Sequence, residues 1–540
     1  MPRRRAWRSR ARRRALAFVL SCALVAAGCT HRSGGSGQPG AVPPRVGGAL
    51  QIALVTPGSL DPAQAVGPEQ RLLVGNLFDS LTTFDAGGTV RPAAAASWSS
   101  DQSQRHWRFQ LRPGGHYADG QPVQARDFKA AWERLASPRT RPQPASAAGL
   151  LGLVEGYAAV AAGRARALSG VAAPDATTLT VDLTQPFADF PALVADPRLS
   201  PIPPNAAGSG GAFAARPLGN GPFMLAGAVA AGRPFDLVRN PHYDGRAAYL
   251  DRVRVQVVPD QQTAWLAFQH GQASFAPVPP DQVAAARAIA GTSADGRTRP
   301  GVLQGPELGT WSLGFDLESG PARDPRWRQA VSLALDRAQI AGVFPSGVAP
   351  ATGVVPQGVP GAGQESCASC KHDPAQARSL LDAIGGGARK PVTMAVAATP
   401  FDRQVAALVK GDLAAAGLPV KLEEVTPEGL LSPSGTGDAP LVGFGWSADY
   451  PRMDAFLTAP PVLQDPSVAR LVSQARATPA QPARDQRYRE AAQEVSTAVP
   501  VAPVLEYRHS AVLAQGVEGF DLTPWGALDL SAASLTNPAK

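Results

Sequence analysis

The stretch from 391 to 449 constrains the fold more tightly than any other part of the chain. P-V-T-M-A-V-A-A, residues 391–398, reads as a strand. Thr399-Pro400 then supplies a capping hydroxyl and a proline suited to a first helical turn. Val405, Leu408, Val409 and Leu413 follow on one helical face, and Gly417 ends the helix. Pro419-Val420-Lys421-Leu422 reads as a second strand and Leu441 to Trp446 as a third. Strands alternating with a helix predict an α/β domain with a partly parallel sheet. Two other segments, Ala49 to Leu54 and Arg252 to Val257, alternate as half-buried strands do. Asp373-Pro374 opens a further helix whose stripe is Ala377, Leu380, Leu381 and Ile384, with Gly385 as its stop.

The N-terminus speaks to compartment. Residues 1–14 hold eight arginines and no acid, and Ala15 to Ala27 form a short apolar run. A basic flank, an apolar core and small residues make a secretory signal, and the run is shorter than the ~20 residues of a membrane span. Ala26-Ala27-Gly28-Cys29 resembles a lipobox, which makes 1–28 a lipoprotein signal peptide and Cys29 the lipidation site. Residues 29–45, rich in Gly, Ser and Pro, read as a flexible tether. The formal charge of +8 is matched by the eight leader arginines, so the chain from Cys29 onward is formally neutral. A nucleic-acid partner therefore finds no basic footprint.

Cys22 belongs to the leader and Cys29 to the lipid site, which leaves Cys367 and Cys370 in E-S-C-A-S-C-K-H. In an oxidising exterior this pair reads as a local disulfide. A zinc site wants four ligands, and only His372 lies nearby. No metal or other cofactor is expected. G-x-x-x-x-G-K-[ST], H-E-x-x-H and G-x-S-x-G are absent, and the seven histidines are scattered. What stands out is Trp446-Ser447-Ala448-Asp449-Tyr450, directly after the third strand. Ligands in such sheets gather at the carboxyl ends of strands. A carboxylate between two aromatics there suits a cationic group.

A series of short blocks runs in order along the chain: Gly47-Gly48-Ala49-Leu50, Ser59-Leu60-Asp61-Pro62, Leu77-Phe78-Asp79-Ser80-Leu81, and F-Q-L-R-P-G-G-H-Y-A-D-G-Q-P-V-Q-A-R-D-F over 109–128. Trp132-Glu133-Arg134-Leu135, Gly219 to Phe223, Arg239-Asn240-Pro241-His242-Tyr243, Arg328-Gln329-Ala330, Leu335-Asp336-Arg337 and Trp446 to Tyr450 continue it. From Gly47 to about Leu535 the chain resembles the extracellular solute-binding proteins of family 5, the peptide- and nickel-type receptors of ABC importers.

The resemblance implies an α/β fold, periplasmic-binding-protein-like type II and cluster C-like, with two lobes, a hinge and an extra inserted domain. Lobe I would comprise 46–75, 200–295 and 500–540, the inserted domain 76–199, and lobe II 296–499. It implies a monomeric binding protein, not an enzyme, anchored on the extracytoplasmic face of the cell membrane. Such a protein captures a peptide ligand in the interlobe cleft and delivers it to ABC permease subunits. Asp449 occupies the place of the acid that pairs with a peptide's α-ammonium. Trp446 and Tyr450 would wall the pocket, and Tyr507 is a further candidate where the chain returns to the first lobe. Phe315-Asp316 departs from the family's usual F-N, adding a negative charge that could favour basic ligands or meet Arg323. The same architecture also serves nickel chelates, haem, oligosaccharides and opines, and a secreted enzyme or structural lipoprotein is a third reading.

Overall fold

The computed structural model describes residues 44–536, apart from 66, 142–143, 145–147, 205, 207–210, 291–300, 319, 363–366, 386, 428, 432–438 and 520–528. The leader, Cys29 and all but the last two residues of the expected tether fall outside the described residues. No helix among the described residues is long and apolar enough to cross a membrane.

The 391–449 unit forms as its pattern predicts. Val392–Ala397 pairs in parallel with both Val420–Val425 and Leu441–Ser447. Between them runs the helix Pro400–Ala415, whose Thr399 side chain accepts from Asp402 N. Gly417 follows it with φ +87°, a left-handed stop that glycine adopts without strain. In the helix Pro374–Ile384, the Asp373 side chain accepts from Gln376 N and Gly385 stands just beyond. Cys367 and Cys370 are joined, with Cα atoms 5.1 Å apart.

One large mixed sheet runs through the molecule. Its order is Val420–Val425, Val392–Ala397, Leu441–Ser447, Gly301–Phe315, Val501–Leu513, Phe275–Pro277, Ala49–Val55, Arg252–Val258, Phe235–Arg239 and Phe223–Leu225. Ala49–Val55 and Arg252–Val258 pair in parallel over seven residues, as their shared alternation allows. The two long central strands, Gly301–Phe315 and Val501–Leu513, are antiparallel partners. One passes on to Leu441–Ser447 and the other to Phe275–Pro277, so this pair links the two halves of the sheet. Two cores flank the link. Trp311, Leu313 and Phe315 pack with Val405, Val409 and Leu413, whereas Leu50, Ile52, Phe78 and Trp132 share a core with Tyr488 and Val495. A separate four-stranded sheet, ordered Ala95–Ser100, His106–Leu111, Thr178–Asp182 and Val171–Ala172, lies within 76–199.

The short sequence blocks find one another in space. Asp61 of S-L-D-P is fully buried against Arg134 of W-E-R-L, whose Nη1 donates to Oδ1 at 2.8 Å and whose Nη2 meets Oδ2. Asn220 clamps the Asp79 backbone, accepting from its N–H at 3.0 Å and donating to its carbonyl at 3.1 Å. Gly219 and Gly221 lie so close to Leu77 that a Cβ at either would fall 1.8 Å from Leu77 O or 2.6 Å from Leu77 C. Arg337 of L-D-R reaches the carbonyls of Pro503, Ser332 and Cys370, tying a central strand to the disulfide turn.

Removing one partner of a buried ion pair strands the other charge away from water. Asp61→Ala should therefore lower the unfolding free energy by about 3–5 kcal/mol, read from the denaturant midpoint at constant slope. An unchanged midpoint would show that the pair carries no such weight.

Candidate functional site

Two cavities lie along the helix Pro68–Leu77, and Leu72 lines both. The larger, about 570 Å³, is bordered by Arg71, Asp79, Arg112, Asp196, Tyr243 and Asp449 among others. The smaller, about 150 Å³, sits against the linking strands and is bordered by Glu69, Glu307, Arg508 and Ser510 among mainly apolar neighbours.

Asp449 reaches the larger cavity from the carboxyl end of Leu441–Ser447, where parallel strands leave their ligand sites. The Ala448 N–H donates to Leu308 O at 2.7 Å and holds the turn. Two arginines meet one oxygen of the carboxylate: Arg71 Nη2 donates to Oδ1 at 3.0 Å and Arg198 Nη2 to the same atom at 2.5 Å. Arg198 is in turn held by Asp196, donating through Nε and Nη2 at 2.9 and 2.8 Å. Oδ2 of Asp449 takes neither arginine, and the side chain remains 29 % exposed. Above that oxygen is Gly149, where a Cβ would come within 3.0 Å.

The neighbouring aromatics are held elsewhere. Tyr450 is buried, its hydroxyl donating to Asp454 Oδ2 at 2.7 Å. The fully buried Asp454 also accepts from Tyr488 at 3.2 Å and from Arg476 at 2.7 and 2.9 Å. Burial and the Asp454 carboxylate raise the Tyr450 phenol well above its ordinary value. Trp446 is half-buried and donates through Nε1 to Ala455 O at 2.9 Å. Tyr507 packs edge-on to Phe401, 6.0 Å between centroids, and its hydroxyl lies beside Gly445. Of the four binding candidates, only Asp449 borders either cavity. Asp316 caps its own turn, accepting from Glu318 N at 3.0 Å, while Arg323 donates to the Glu318 carbonyl at 2.6 Å. Arg71, Arg198 and Asp196 were invisible in the sequence because they lie more than 240 residues from Asp449 and belong to no common motif. Among the described residues, no three His, Cys, Asp or Glu side chains converge as metal ligands.

Two halves of one sheet linked by two long strands, with charged cavities beside the link, define a two-lobed solute-binding protein. The chain belongs to the bacterial extracellular solute-binding proteins, family 5: the family's middle region matches residues 89–460. It is 27 % identical over 490 residues to the periplasmic murein peptide-binding protein MppA of Escherichia coli (strain K12), covering 86 % of this chain and 89 % of that one. It is also 29 % identical over 416 residues to the probable deoxycholate-binding periplasmic protein YgiS of the same organism, covering 74 % of this chain and 75 % of that one. Among solved structures, the unliganded open form of the MppA murein tripeptide-binding protein superposes with a TM-score of 0.77 at 25 % identity, covering 92 % of this chain and 99 % of that one. The fold is that family's α/β periplasmic-binding-protein type, with two hinged lobes and an inserted domain.

Asp79, on the larger cavity, provides a titration handle. Burial lifts its carboxyl to about 6, against the hydroxyl of Tyr243, which donates at 2.9 Å, and the charge of Arg112. An unfolded aspartate titrates near ~3.9, so the folded chain holds a proton that the unfolded chain has already lost. This contribution to stability is full below about 4 and is lost as pH rises through about 6. The melting temperature of wild type minus that of Asp79→Asn should therefore fall between those values. A difference that stays flat with pH would contradict the assignment.

Proposed function

We propose that the chain is the extracytoplasmic receptor of an ABC importer, capturing peptides between its lobes and handing them to the permease. In this reading lobe I is 46–75, 200–295 and 500–540, the inserted domain 76–199, and lobe II 296–499. The solute enters the open crevice and shifts the population toward the closed form by binding that form better. Lipid at Cys29 and the following tether keep the monomeric body near the permease. Binding is the whole task, and no covalent step is required of any residue.

The observation that carries the peptide reading is the uncommitted oxygen of Asp449. Arg71 and Arg198 fix the carboxylate through Oδ1 and leave Oδ2 without an arginine, and Asp449 borders a cavity large enough for a chain of atoms. An α-ammonium arriving there makes a charge-assisted hydrogen bond, the kind that exceeds neutral ones in strength. Every peptide with a free N-terminus offers that group, so one anchor serves many sequences. Trp446, Tyr450 and Tyr507 would then act by shaping the walls behind the anchor. The name of MppA supports the reading. The name of YgiS favours a second one, in which the same crevice takes a non-peptide solute.

Calorimetry separates the two readings. Asp449→Ala should weaken binding of short peptides at least tenfold, about 1.4 kcal/mol, and Gly149→Ala should weaken it by crowding Oδ2. Unchanged affinity in both variants would remove the anchor, and failure of the intact protein to bind peptides would favour the other solute class. For the tether, Cys29→Ala should move the protein from the membrane fraction to the soluble one. Continued membrane association would refute lipidation.

A further inference from the structure

The smaller cavity presents an electrostatic problem that the chain does not solve for itself. Glu69 stands in the first turn of Pro68–Leu77 and Glu307 on the strand Gly301–Phe315. Both border the cavity, and no cation among the described residues bears on either carboxyl. Burial raises the pKa of both carboxyls, against a backbone hydrogen bond at Glu69, and for Glu307 the nearby Glu69 charge raises it further.

The other polar groups on these walls do not neutralise the pair. The charge of Arg508 bears on Glu506 and His509. Burial, with help from Arg508, pushes His509 down to about 4, so the ring is neutral at pH 7. The Nε2 of His509 and the Oγ of Ser510 are buried and have no hydrogen-bond partner among the described residues. Gln261 and Ser346 also border the space but carry no charge, and the rest of the lining, including Leu54, Leu72, Phe275 and Val278, is apolar. At about 150 Å³ the space far exceeds the ~10–15 Å³ that a single water needs. Two carboxylates without a cationic partner and a buried unpartnered hydroxyl, in a chamber about half of whose lining residues are apolar, ask for a donor that brings positive charge.

We propose that this hinge-side cavity receives a cationic group of the solute, an ammonium or guanidinium, between Glu69 and Glu307. It rests on the peptide reading and narrows it. Because Leu72 borders both cavities, a single peptide can place its N-terminus at Asp449 and a basic side chain in the smaller chamber. The preferred solute class is then a lysine- or arginine-containing peptide. Asp449, already faced by two arginines, orients such a ligand, whereas the glutamates select it by charge.

The test uses the full chain and two sets of tripeptides that differ only by lysine or its uncharged isostere norleucine, scanned through the positions. Calorimetry at neutral pH should show at least a tenfold preference for lysine at one position. Glu69→Gln with Glu307→Gln should bring that ratio to about one, and each single change should lower it. Asp449→Asn should weaken both peptides by the same factor and leave the ratio. The glutamine variants relieve like-charge repulsion, so their ligand-free melting temperatures should be no lower than wild type. Equal affinity for both peptides at every position would overturn the cation chamber while leaving the peptide receptor intact. A ratio that persists in the double variant would overturn it too. Binding of neither peptide would bring down the peptide reading and this inference together.

Discussion

The antiparallel pairing of Gly301–Phe315 with Val501–Leu513 is the constraint on which the rest depends. It joins both halves of the large sheet, and its one long interruption decides what borders the crevice. The ladder runs evenly from Gly301↔Leu513 to Pro306↔Arg508 and then shifts before Thr310↔Glu506. Pro306 has no N–H to donate, and a bulge is the usual consequence of such a gap in a ladder. Within the gap, Glu307 turns to the smaller cavity and the Leu308 carbonyl accepts the Ala448 N–H. Asp449 is the next residue. One irregular stretch therefore positions a carboxylate on the hinge side and steadies the turn that carries the other.

Around this link the lobes are held by buried charges as well as apolar packing. Asp189 meets Arg484 at 3.0 Å and Arg452 at 3.6 Å, and all three side chains are nearly inaccessible. Arg452 also donates to Gly88 O at 2.9 Å, and Arg489 to Gly361 O at the same distance. Such groups gain little over an apolar core in stability but penalise every alternative packing that would separate them. Asp189 Oδ2 and the Nε atoms of Arg452 and Arg484 are buried and lack hydrogen-bond partners. This contact between 76–199 and 450–490 is thus imperfectly satisfied.

Local pattern made the 391–449 unit legible, because caps, stripe and stops all fall within about five turns of chain. Asp449 was legible for a related reason: it follows a strand end, and strand ends are where an open sheet leaves space. Its neighbours were not. Tyr450 is adjacent in sequence, yet its hydroxyl turns inward to Asp454 four residues on, and nothing in W-x-x-D-Y announces that acceptor. The arginines on Asp449 come from a helix 378 residues away and a turn 251 away. Periodicity cannot report a meeting of that range. Glu307 was hidden by its own strand, since only the ladder break at Pro306 turns it from an ordinary alternating position toward a cavity.

The two acidic sites differ in what they can contribute to binding. At Asp449 two guanidiniums have already offset the cost of partial burial, so an incoming ammonium adds one hydrogen bond to a nearly balanced network. At Glu69 and Glu307 the burial cost is met only by a backbone hydrogen bond at Glu69, and the proposed cation would relieve both desolvation and mutual repulsion. On the proposed reading, a larger share of the solute's charge complementarity would therefore be realised at the hinge than at the anchor. The helix Pro68–Leu77 makes this division possible. Glu69 and Arg71 are two residues apart, roughly 200° around the axis at 3.6 residues per turn, so one faces each site. Its short span between the cavities fixes their separation, and on the proposed reading a solute would have to match that spacing to satisfy both.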